Sequence, residues 1–198
     1  MRRPLIIIIL SLFAVGLASC IQRKQERAAK KDAPVTGELQ TIAEVDSAMR
    51  VNLDIPDTTR FRENSHNREV VYRLLAQALI VEPADLYRAA LILQHAEPDV
   101  ARECCLLAHK LAVEAAEKGH PKARFLAAAA LDRYLIFNDL PQKFGTQYTR
   151  NRAGQYMILP YDTQTPDSLR QAWNVPPLDS IQAELRRMNP KMPVRKRR

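Results

Sequence analysis

Between Arg68 and Tyr134 apolar residues return every three or four positions, and many of those positions hold alanine. That period matches one face of an α-helix and not the alternation of a strand. Val70, Val71, Leu74, Leu75, Ala78 and Leu79 form one such stripe, predicting a helix over 68–81. Pro83 and Asp85 restart the pattern, with Leu86, Ala89, Ala90 and Leu93 inward, and Glu97-Pro98-Asp99 interrupts it. A helix from about Asp99 to Lys118 turns Ala101, Cys104, Cys105, Ala108, Leu111, Ala112 and Ala115 inward. Gly119 suits its C-terminal turn. From Pro121 a further helix runs to about Phe137, with Ala123, Leu126, Ala127, Ala130, Leu131 and Tyr134 as its stripe.

The flanks are less regular. Residues 41–51 predict a short helix, with Thr41 and Glu44 in capping-box spacing. Residues 52–65 read as loop. After 140, Phe144–Thr149 and Gln155–Leu159 are β-prone around the turn-like Arg150–Gly154, predicting a small hairpin over about 144–159. Asp167–Ala172 predicts a short helix, and 179–188 a last amphipathic one with Ile181 and Leu185 inward. The expected fold is mainly α: a short, repeat-like stack of antiparallel helix pairs with a small C-terminal β-hairpin. The chain of 198 residues suits one domain, here 41–185. With three cysteines a disulfide scaffold is excluded. Cys104 and Cys105 are adjacent, so a disulfide between them would distort their helix; they read as buried free thiols, at least one of them partly exposed and open to pairing with another molecule.

The stretch Ala112–Ala123 resembles the junction of Sel1-like tetratricopeptide repeats, where small residues let helices approach and a glycine turns the chain. Only one such junction is regular, so a long superhelical array is not expected.

The N-terminus carries a different signal. Arg2 and Arg3 precede an apolar run from Leu5 to Ala18, which is short for a membrane-spanning helix. It ends in Leu17-Ala18-Ser19-Cys20, which resembles the lipobox of bacterial lipoproteins. The resemblance implies a signal peptide over 1–19, cleavage before Cys20, and palmitate-type acylation of its thiol. Two or three acyl chains give a stable membrane anchor where one gives marginal binding. Ile21, in place of the aspartate that favours inner-membrane retention, points by resemblance to the outer membrane, facing the periplasm.

Charge is segregated. The chain carries 30 Lys and Arg against 22 Asp and Glu, yet residues 32–185 hold 16 positives and 21 negatives. The excess sits in a basic tether, 20–40, and a basic tail, 186–198, both expected to be disordered. An export signal and the lack of any nucleic-acid-reading motif exclude nucleic acid as the expected partner.

At Asp132-Arg133, followed by Pro141-Gln142-Lys143-Phe144-Gly145-Thr146-Gln147, the chain resembles an uncharacterised bacterial family with an Asp-Arg and Pro-Gln-x-aromatic-Gly-Thr-Gln signature. Leu93-Gln94-His95 belongs to the same resemblance, which brings no activity or cofactor. Gln94, His95, Asp132, Arg133, Gln142, Gly145, Thr146 and Gln147 are the candidate binding residues. They would either line a polar pocket or dock the hairpin on the helices. The leading functional expectation is a membrane-tethered envelope component that binds or scaffolds a peptide or protein. The alternative is an enzyme acting on a polar envelope ligand, with His95 or His109 as general base, Asp132 orienting it and Arg133 binding charge. No HExxH, P-loop, dinucleotide fingerprint or Cys-x-x-Cys calls for a metal or cofactor.

Overall fold

The computed structural model describes residues 35–51 and 54–189. The proposed signal peptide, Cys20, residues 20–34 of the tether and residues 190–198 of the tail lie outside the described residues. The fold is mainly helical, with packed helix pairs and one two-stranded antiparallel hairpin. In chain order the elements are α1 (35–51), α2 (Asp57–Ala76), α3 (Pro83–Leu93), α4 (Ala101–Glu117), α5 (Ala123–Phe137), β1 (Tyr148–Arg150), β2 (Tyr156–Ile158), α6 (Asp167–Ala172) and α7 (Leu178–Met188). Among the described residues, no helix is long and apolar enough to cross a membrane.

Helices α2 to α5 pack in sequence, each against the next, with α3 also touching α5. Alanine makes this possible. Ala89, Ala90, Ala108, Ala112, Ala115, Ala123, Ala127 and Ala130 share one core with Val71, Leu74, Leu86 and Leu93. Short side chains at the seam let the axes approach and leave little rotamer entropy to lose. All seven inward positions expected on α4 are buried, and so are the four on α3. Cys104 and Cys105 are free and neither is exposed, which corrects the expectation of a partly accessible thiol.

Helix ends share one device. At α4 the His120 amide donates to the Ala115 carbonyl and the Gly119 amide to the Ala116 carbonyl, with Gly119 at φ +90°. The same pair of bonds closes α2 around Ala78, at φ 52°. This left-handed turn ends α2 at Ala76 and leaves Ala78 exposed, where periodicity had the helix running to 81. Side-chain pattern carries no mark of a left-handed alanine.

Two boundaries move outward. Residues 35–40 are helix and not tether: Val35, Leu39 and Ala43 belong to the main core. Residues 57–65 are helix and not loop, with Asp57 in the first turn after Pro56 and Asn64 buried against α1 through Arg50. The tail also starts later than expected, because Arg186–Met188 complete α7.

A second, smaller core holds the C-terminal part. Phe144, Val175, Ile181 and Leu185 close over Ala128 of α5. Trp173 touches both cores and stands 5.7 Å from Phe144 between ring centroids. The hairpin pairs Tyr148 with Ile158, Thr149 with Met157 and Arg150 with Tyr156. It is shorter than expected, since the backbone amides of Lys143, Phe144 and Thr146 are used elsewhere.

If α1 is part of the core, Leu39→Ala lowers unfolding free energy by about 2–5 kcal/mol, as for other buried leucines. Urea denaturation reads this, and an unchanged midpoint would return residue 39 to the tether.

Candidate functional site

Asp132 sits near the end of α5 and is fully buried. One carboxylate oxygen accepts the Lys143 and Phe144 amides at 2.8 and 2.9 Å. The other accepts the Thr146 amide at 2.9 Å and the Thr146 hydroxyl at 2.8 Å. A buried carboxylate is tolerable when its lone pairs meet donors in this way. The loop wraps the side chain because Gly145 takes φ +78° and turns the backbone between the donating amides.

Gln142, also fully buried, extends the arrangement. Its Nε2 donates to the Gln147 and Leu159 carbonyls at 3.1 and 2.9 Å, and its Oε1 accepts the Gln147 amide at 2.7 Å. Arg170, 1 % exposed, donates from Nε to the Phe144 carbonyl and from Nη1 to the Thr165 carbonyl. Asp132, Gln142, Gly145 and Thr146 therefore tie the C-terminal unit to α5. Sequence reasoning missed Arg170, which looks like an ordinary surface residue of an amphipathic helix.

Of the expected histidine pair, His95 meets a different acid. Its Nδ1 lies 2.7 Å from Oδ2 of Asp46 on α1, while Asp132 is occupied by the loop. Asp46, 1 % exposed, also accepts from Arg50 at 2.9 Å, and Arg50 donates to Asn64 at 2.6 Å. Burial acts to raise the Asp46 pKa, but the hydrogen bonds and charges of His95 and Arg50 outweigh it and hold the carboxyl below its ordinary value. Burial pushes the His95 ring below its ordinary pKa. Asp46 opposes this, and the Arg50 and Arg133 charges add to it. His109 is committed to structure: its Nδ1 stands 2.9 Å from the Ala127 carbonyl and its ring stacks on Trp173.

Arg133 points into a different setting from its neighbour Asp132. It lines an open cleft of about 420 Å³ with Gln94, Thr146, Gln147, Ala129, Tyr87, Phe125 and Tyr148. Its Nε is buried without a hydrogen-bond partner, and among the described residues it forms no ion pair. Burial and the Arg50 charge lower its pKa. The Cys105 thiol could offset this only as a thiolate, and burial pushes that thiol up to about 11. Gln94 is 8 % exposed, and its side-chain amide likewise has no partner among the described residues. Thus Gln94, Arg133, Thr146 and Gln147 converge on one cleft, while Asp132 and Gln142 stand behind its wall. Tyr87, Phe125 and Tyr148 were not anticipated; only their aromatic character, on α3, α5 and β1, hinted at them.

A second cleft of about 480 Å³ shares Tyr87 and Leu91 with the first and is lined also by Glu44, Ser47, Arg88, His120 and Lys122. Tyr87 forms the partition, stacked on His120 at 4.2 Å. Among the described residues no group of three or more His, Cys, Asp or Glu could hold a metal ion.

Asp132→Asn places an amide donor against backbone N–H groups. The expected loss is on the order of 2–3 kcal/mol in urea unfolding, from unsatisfied buried donors. A variant as stable as the wild type would show that the loop does not depend on the carboxylate.

No family model, curated protein or solved structure matches this chain.

Proposed function

We propose that this protein is a lipid-tethered component of a bacterial envelope whose folded body binds a peptide or protein segment. The anchor rests on the Leu17-Ala18-Ser19-Cys20 motif behind an apolar run, with the outer membrane facing the periplasm as the proposed setting. The binding role rests on one observation: an open cleft with an aromatic rim holds a cation, Arg133, whose buried Nε has no partner within the protein. Buried polar groups in proteins are normally paired, so an unpaired guanidinium nitrogen at a cavity wall, with the Gln94 amide beside it, favours a ligand. The adjoining cleft beyond Tyr87 gives room for an extended chain.

The enzymatic reading draws support from the short Asp46–His95 contact, since a carboxylate fixing an imidazole is a common feature of general bases. His95 is outside the cleft lining, and Asp132 is committed to the loop, so that reading is second.

Two experiments test the proposal. Cys20→Ala should abolish incorporation of labelled fatty acid and release the protein from the membrane fraction; unchanged labelling would defeat the anchor. A photo-crosslinking amino acid in place of Phe125, 44 % exposed on the cleft rim, should capture a polypeptide in the native envelope. The same residue in place of Val51, 81 % exposed and outside both clefts, should not. Identical products from the two positions, or none from either, would overturn the binding role.

A further inference from the structure

Three features of the cleft bear on what its occupant is. The first is charge. The Arg50 charge bears on Arg133, and the Asp46 carboxylate is already engaged by Arg50 and His95. Cys105 is a neutral thiol at ordinary pH. An anion beside Arg133 therefore meets a cation with no competing internal carboxylate bound to it. A guanidinium presents parallel N–H groups that match a carboxylate in two-point fashion.

The second feature is amide chemistry at the same place. The Gln94 side chain offers a donor and an acceptor, both unused among the described residues. Gln147 spends its Nε2 on the Ala129 carbonyl and the Thr146 hydroxyl, which leaves its Oε1 as an acceptor. These are complements for one peptide unit, which supplies an N–H and a carbonyl. The third feature is the rim: Phe125 and Tyr148 are 44 % and 46 % exposed, large apolar surfaces left open beside a polar floor.

We infer that the cleft recognises the free C-terminus of a peptide, with the terminal carboxylate on Arg133, the last peptide unit between the Gln94 and Gln147 amides, and the last side chain against Phe125 and Tyr148. This rests on the binding role proposed above and narrows it to one chemical class. A terminal carboxylate beside an amide and a side chain fits all three features. Inorganic phosphate satisfies only the charge, and an internal acidic side chain holds its carboxylate one or more bonds further from the amide.

The test uses the purified soluble body, residues 21–198 after the cysteine, and a panel of tripeptides Gly-Gly-Xaa as free acids and as C-terminal amides, read by calorimetry or chemical-shift change. The free acids with apolar Xaa should bind, and amidation should weaken them by about tenfold or more, the scale of a desolvated charge-assisted pair. Arg133→Gln should remove the difference between acid and amide, and Arg133→Lys should restore part of it. Should Arg133→Gln fail to fold, the acid–amide comparison on the wild type decides alone. Acids and amides binding equally would overturn the terminal-carboxylate assignment while leaving a peptide cleft in place. Competition by inorganic phosphate or by acetyl-Gly-Glu-Gly-amide as strong as by the free acids would overturn it as well, in favour of a general anion site. No binding by any peptide would overturn both this assignment and the peptide-binding role.

Discussion

The C-terminal third of this chain is organised by one side chain. Asp132 takes four hydrogen bonds from the loop between α5 and β1, three of them from backbone amides. Those amides would otherwise need a strand partner or water. By accepting them inside the protein, the carboxylate fixes where the loop turns, where β1 starts, and which face of α5 the second core covers. Gln142 and Arg170 continue the same logic, each supplying donors to backbone carbonyls of the loop and the hairpin ends. The small core of Phe144, Val175, Ile181 and Leu185 is only a few residues, so it relies on this polar framework to be held against the helices.

The framework also shapes the cleft. Once Asp132 has drawn in the loop, Thr146 and Gln147 are placed opposite Gln94 and Arg133, and Tyr148 is left at the rim. The neighbouring residues Asp132 and Arg133 thus divide two tasks, one inward and one into open space. They can do so because adjacent positions on a helix diverge by roughly 100°. Behind them, α1 reaches the same region through Asp46 and Arg50. The helix nearest the proposed membrane tether is therefore bonded to His95, the neighbour in sequence of the cleft residue Gln94.

Much of the helical stack is legible in the pattern of apolar residues. The inward sets of α3 and α4 are read correctly from spacing alone, because a helix buried along one stripe must repeat at 3.6 residues. Ends are harder. Gly119 announces a left-handed turn, whereas Ala78, Asp139 and Asn174 adopt positive φ without a glycine to signal it. Residues 41–51 of α1 are legible but its start at 35–40 is not, and the first half of α2 is hidden because its buried face there holds Asn64 and Asn67, polar residues that interrupt an apolar stripe. The candidate residues could be named from motifs, but their partners could not: His95 meets Asp46, forty-nine positions away, and nothing local marks that pairing.

The amino-acid order alone settled the mainly helical class, the alanine seam, the hairpin near the C-terminus and the short list of polar residues worth examining. These follow from local rules of spacing, turn chemistry and residue size. Only the tertiary structure decided which of those polar residues are sealed and which face a cavity, because burial of a charge depends on what arrives from elsewhere in the chain. Asp132 is sealed since a distant loop brings it donors. Arg133, one residue later, is left with a cleft.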